Sequence, residues 1–124
     1  MKFLNVDLEI ESEGEPKAVI SNLGEDVMVL YNGTSKNKHL ATFELPICSA
    51  GDPDSIINSF CALVENFDSA GLAEWKSCYR RQFSIGYESG NQSTSLSSEL
   101  KEATIKRVSD LCGSIEIMIY PPSE

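Results

Sequence analysis

Leu4, Val6, Leu8 and Ile10 alternate strictly with Asn5, Asp7, Glu9 and Glu11. A period of two marks a strand with one face in a core and the other in water. It therefore calls for helices on one side of a sheet and leaves the other side wet. Glu13 and Glu15 extend the acidic series, so that Glu9, Glu11, Glu13 and Glu15 read as one wet edge that continues into a turn.

The rest of the chain supplies the partners. Pro16 suits the first turn of a short helix that runs to Leu23 and stops at Gly24. Val27 to Tyr31 is apolar on both faces and reads as a strand buried from both sides or central in its sheet. Asn32-Gly33 and the polar stretch Thr34 to Lys38 predict a loop longer than a two-residue turn, and His39 to Leu45 predicts the returning strand, closed by Pro46.

Asp52-Pro53 is a strong helix start, because Asp caps free N–H groups and Pro fits the first helical position. Ile56, Ile57, Phe60, Leu63, Val64 and Phe67 then form one apolar stripe. Asp68-Ser69 interrupts it, and Leu72, Trp75 and Tyr79 set the spacing of a second, shorter helix packed at an angle. Phe83, Ile85 and Tyr87 predict a fourth strand, followed by a loop over residues 90–95. Ser97 or Ser98 is the expected cap of a last helix bearing Leu100, Thr104, Val108 and Leu111, which Gly113 ends. Ile115, Ile117 and Ile119 form the closing strand, and Pro121-Pro122 ends it.

The predicted order is β-α-β-β-α-α-β-α-β. This is an α+β fold with a five-stranded, mostly antiparallel or mixed sheet and helices on one face. At 124 residues, with no internal repeat or linker, residues 1–124 read as a single domain.

Charge narrows the function classes. Nineteen Asp and Glu against ten Lys and Arg give a formal charge of −9, which repels a phosphate backbone. Arg80, Arg81 and Arg107 are the only arginines, and no basic stripe exists, so no nucleic-acid partner is expected and a basic protein partner fits better. Met1 to Ile10 has no apolar run of the secretory kind, and no segment approaches a membrane span. The expectation is a cytoplasmic protein without a membrane partner. Cys48, Cys61, Cys78 and Cys112 form no CxxC pair and have no adjacent His, so reduced core thiols are expected and neither a metal nor another cofactor.

Catalytic schemes lack parts. His39, the only histidine, has no orienting carboxylate nearby in sequence and reads as a solvated loop residue. No GxxxxGK[ST] or GxGxxG is present, and Gly86-Tyr87-Glu88-Ser89-Gly90 lacks the helix start a phosphate cradle needs. The glutamate run lacks the Asp/Asn-rich loop of a calcium site, which leaves it as a solvated face or a surface for a cationic partner. Trp75, Tyr79, Arg80 and Arg81 are of residue types that dominate interfaces, although Trp75 and Tyr79 at this spacing also suit core anchors. No catalytic residue is assigned. The candidate contact residues are Glu9, Glu11, Glu13, Glu15, Trp75, Arg80 and Arg81.

The segments Phe83-Ser84-Ile85-Gly86-Tyr87, Leu96-Ser97-Ser98-Glu99-Leu100, Val108 to Gly113 and Ile115 to Tyr120 together resemble a family of small bacterial proteins catalogued only as a domain of unknown function. Leu23-Gly24 and the strand after it resemble that family more loosely. The shared positions are caps, turns and core residues, so the resemblance implies an architecture and carries over no catalytic residue. In size and charge the chain is also similar to immunity proteins, which bind and block toxins.

Three functional expectations follow. The first is a non-catalytic, immunity-like protein that engages a basic partner through its acidic face. The second is a small-ligand protein or enzyme in which Arg80 or Arg81 holds an anionic molecule in a cleft beside the Gly86 to Ser98 loop. The third is a homo-oligomer that pairs through an exposed strand edge.

Overall fold

A computed structural model describes residues 1–46, 51–90 and 95–122. Five strands and four helices occur among them: β1 (Lys2–Ser12), α1 (Lys17–Leu23), β2 (Met28–Ser35), β3 (Lys38–Glu44), α2 (Pro53–Glu65), α3 (Ser69–Ser77), β4 (Arg80–Glu88), α4 (Glu102–Asp110) and β5 (Ser114–Tyr120). The fold is α+β, in the predicted element order. The strands lie in the order β2-β3-β1-β4-β5, antiparallel except for β4 with β5. That parallel pair requires a crossover, and α4 provides it.

The alternation in β1 fixes the two faces of the sheet. Val6, Leu8 and Ile10 are fully buried and face the helices with Ala41 and Phe43 of β3 and Phe83 and Ile85 of β4. Against them pack Val19 and Leu23 of α1, Ile57, Phe60 and Val64 of α2, Trp75 of α3 and Val108 of α4. Asn5, Asp7, Glu9 and Glu11 alternate onto the opposite, open face and are only half-buried.

The helix ends form largely as their sequences dictate. Asp52 caps α2 by accepting from the Ser55 amide at 2.8 Å, and Asp68 caps α3 by accepting from the Gly71 amide at 2.7 Å. The start of α4 is different. Ser97 and Ser98 lie outside the helix, Lys101 occupies the cap position, and its amide donates to Asp54 Oδ1 of α2 at 2.8 Å. A carboxylate from a neighbouring helix thus replaces a local hydroxyl. Asn58 extends this junction: its Nδ2 donates to Thr104 Oγ1 at 2.6 Å, and its Oδ1 accepts from Arg107 Nη1 at 2.7 Å.

At its far end α4 closes in a Schellman motif. The Gly113 amide donates to the Val108 carbonyl and the Cys112 amide to the Ser109 carbonyl, both at 2.9 Å. The left-handed residue is Cys112, with φ of 59°, and not the expected Gly113. Gly113 is required by space instead, since a Cβ there would sit 3.1 Å from both Phe83 Cε2 and Val108 Cγ1.

Three further expectations are corrected. β2 is an edge strand with no buried residue, because the core draws its sheet residues from β1, β3 and β4. The β2–β3 connection is a tight turn of two residues, Lys36 and Asn37, with φ of 51° and 68°. Positive φ at both positions is the type I′ signature, whose twist matches that of the strands. Asn32-Gly33 belongs to β2, where Gly33 leaves room for the Tyr31 ring: a Cβ would lie 3.0 Å from Tyr31 Oη. The cysteines are also not uniformly core. Cys61 and Cys78 are buried and free, Cys112 is free and exposed at the α4 turn, and Cys48 lies outside the described residues.

Candidate functional site

The open face of the sheet collects carboxylates. Register places Asp7 directly opposite Glu44 of β3 on one side and Ser84 of β4 on the other. Asn5 Nδ2 bridges the two acids, donating to Asp7 Oδ1 at 3.1 Å and to Glu44 Oε2 at 2.7 Å. Ser84 Oγ donates to Glu116 Oε1 of β5 at 2.8 Å. Like charges directly opposite one another in a sheet repel. Burial, with the charge of Glu44, its hydrogen bond and the charge of Glu9, pushes the Asp7 carboxyl up to about 6. Burial first and the neighbouring acids second thus let Asp7 hold a proton above the usual carboxylate range.

Farther along the same face, opposite charge relieves the crowding. Arg80 lies across from Glu11, and its Nε and Nη2 donate to Glu11 Oε2 at 3.0 and 2.8 Å. Glu9 Oε1 is 3.7 Å from Nη2, and Nη1 donates to Gln82 Oε1. Lys38 Nζ is 3.7 Å from Glu11 Oε1, and its ammonium also sits 5.2 Å from the centre of the exposed Tyr79 ring. The hydrogen bond from Arg80 holds the Glu11 carboxyl below its ordinary value. Beside this cluster a cleft of about 390 Å³ opens between Glu11, Ser35, Lys36, Lys38 and Leu40.

The four glutamates therefore do not share one edge. Glu9 and Glu11 are on the open face, but β1 ends at Ser12, whose hydroxyl donates to the Gly14 carbonyl at 2.7 Å. Glu13 and Glu15 lie on the turn beyond, where Glu15 accepts from Asn32 Nδ2 at 2.8 Å. They border a second cleft of about 320 Å³ that also takes in Ser12, Glu74 and Tyr79.

The other candidates have structural employment. Trp75 is 1% exposed, and its indole N–H donates to the Leu111 carbonyl at 2.9 Å, so it anchors the core and offers no contact surface. Arg81 donates from Nε to the Cys112 carbonyl at 3.0 Å and from Nη1 to the Trp75 and Cys78 carbonyls at 2.9 and 2.8 Å. Its guanidinium ties the end of α3 to the end of α4. With Arg80 held by glutamates and Arg81 by carbonyls, neither lines either of the clefts above. His39 is a half-buried residue of β3 whose Nε2 meets Asn32 Oδ1, not a loop residue.

Asp7, Glu44 and Glu116 are the members of the acidic face that sequence reasoning did not select. Asp7 shares the period of Glu9 and Glu11 and was legible from that. Glu44 and Glu116 join it only through strand pairing. Among the described residues no cluster of His, Cys, Asp and Glu is arranged to hold a metal, and no helix is long and apolar enough to cross a membrane. Compared with family models, with curated proteins and with solved structures, the chain finds no match. The family resemblance drawn from residues 83–120 stands on those residues alone.

Proposed function

We propose that the chain is a non-catalytic binding protein whose open sheet face engages a basic protein partner, in the manner of an immunity protein that blocks a cationic toxin surface. The observation that carries this reading is the convergence of Asp7, Glu9, Glu11, Glu44 and Glu116 on one helix-free face, with Asp7 pushed up to about 6 by burial and, after it, by Glu44 and Glu9. A cationic side chain arriving there relieves repulsion already present in the free protein, so complementarity is built into the unbound face. Met28 and Tyr31 on one flank and Met118 and Tyr120 on the other are exposed and supply apolar contact around the charged centre.

The test is affinity capture from the source organism, with the wild-type chain beside a Glu9→Lys/Glu44→Lys variant. The expected result is a basic protein retained at low salt, released at high salt and not retained by the variant. Capture that ignores both salt and the charge reversal, or no capture at all, refutes the reading.

A further inference from the structure

The free edge of β5 differs from the other edge of the sheet. β2 has a register break between Val29 and Tyr31, an irregularity that interrupts a continuous ladder. β5 pairs with β4 without a break, and none of its seven residues is buried. Its side chains include one charge, Glu116, and no proline before Pro121. Natural edges are usually protected by charge, proline or a bulge, and this one has a single charge and neither of the other two between Ser114 and Tyr120.

Backbone direction decides which groups are available. The Ser89 amide donates to the Tyr120 carbonyl at 2.9 Å, so the main-chain polar groups of Tyr120 face the β4 side. Along a strand these groups alternate between the two edges. Ser114, Glu116 and Met118 therefore also face β4, and Ile115, Ile117 and Ile119 present their N–H and C=O outward. The same three isoleucines share the side-chain face of Phe83, Ile85 and Tyr87, with Ile117 and Ile119 left 64% and 53% exposed.

The geometry points to a second copy of this chain as the occupant, paired antiparallel through β5 with the two-fold axis on Ile117. In that register Ile117 lies opposite Ile117 and Ile115 opposite Ile119, and each pair exchanges two N–H···O bonds. The isoleucines form one apolar strip across the axis, while Glu116 faces Met118 and meets no like charge. Pro121 falls opposite Gly113, so the ladder ends where its donors end. Neighbouring registers are worse. An axis on Glu116 sets the two Glu116 carboxylates against each other, and an axis on Met118 sets Ile115 against Pro121, which has no N–H. The contact is small, which places it among weak associations. The charge of −9 on each copy opposes it, so salt strengthens the dimer. This dependence is opposite in sign to that of the basic-partner interaction proposed above, and the inference does not rest on that reading.

Sedimentation velocity on the whole chain, from about 1 μM to 1 mM protein and at about 0.05 and 0.5 M salt, tests it. The expected result is a monomer–dimer equilibrium that shifts toward dimer at the higher salt. Ile117→Lys, which sets two ammonium groups across the axis at an exposed site, is expected to weaken association at least tenfold while leaving the melting curve unchanged. Ile117→Cys in a Cys112→Ser background is expected to yield a 117–117 disulfide on oxidation, located by mass spectrometry. A monomer under all conditions, a dimer indifferent to Ile117→Lys, or a dimer lost only on Leu30→Lys in β2 overturns the assignment.

Discussion

Replacing Asp7 by Asn is expected to stabilise the protein at neutral pH and to do nothing in acid. Asp7 faces Glu44 across the β1–β3 ladder, and burial and the neighbouring acids push its carboxyl from 3.8 up to about 6. A raised pKa means that the folded state binds the proton more tightly than the unfolded chain does. The stabilisation that this proton brings is complete below pH 3.8 and lost as pH rises through about 6. A shift of this size corresponds to about 3 kcal/mol, and water on the open side of the half-buried group reduces the recoverable part to about 1–2 kcal/mol. Asn has no proton to lose, keeps an acceptor for Asn5 Nδ2 and offers its own N–H to Glu44. Urea unfolding followed by circular dichroism at about pH 4 and about pH 7.5 measures the difference between variant and wild type. Titration of carboxylates remote from Asp7 is common to both chains and cancels. A gap that is equal at the two pH values, or a variant less stable than wild type at the higher one, refutes the reasoning.

At the end of α4, Cys112→Gly is expected to raise stability by about 0.5–1 kcal/mol, since Gly alone adopts φ of 59° without steric cost. Gly113→Ala is expected to lower it by about 1–3 kcal/mol, because its Cβ meets Phe83 and Val108 at 3.1 Å; thermal unfolding of the pair checks both signs. Native alkylation mapped by mass spectrometry should modify Cys112 well before Cys61 and Cys78, because Cys112 is exposed whereas burial pushes the Cys61 thiol up to about 11 and raises that of Cys78. Asn58→Ala should cost about 2 kcal/mol in chemical unfolding, as it strips Thr104 and Arg107 of a partner at the α2–α4 junction.

Local signals carried most of the fold. The period of two from Val6 to Ile10, the Asp52-Pro53 start and the break at Asp68-Ser69 act within a few residues and formed as read, whereas Leu4, at the register shift between Phe3 and Asn5, is exposed. What failed was decided at a distance. Val27 to Tyr31 has the composition of an interior strand, yet sheet order puts β2 at an edge, and order depends on which strands the helices cover. Asn32-Gly33 is a strong turn signal, but the glycine is needed beneath the Tyr31 ring. Ser97 and Ser98 are good caps that lost to Asp54, a residue far away in sequence. The acidic face was half legible for the same reason: Asp7, Glu9 and Glu11 share one strand, while Glu44 and Glu116 arrive by pairing.

The bond from the Trp75 indole to the Leu111 carbonyl joins the chain's one tryptophan to the end of its last helix. Its fluorescence therefore reports the docking of that segment, which completes the crossover and brings the final strand into the sheet. In a refolding experiment the emission change marks this step, while the far-ultraviolet signal marks formation of the helices and strands as a whole. The molecule carries an optical probe at the joint between its last helix and its core.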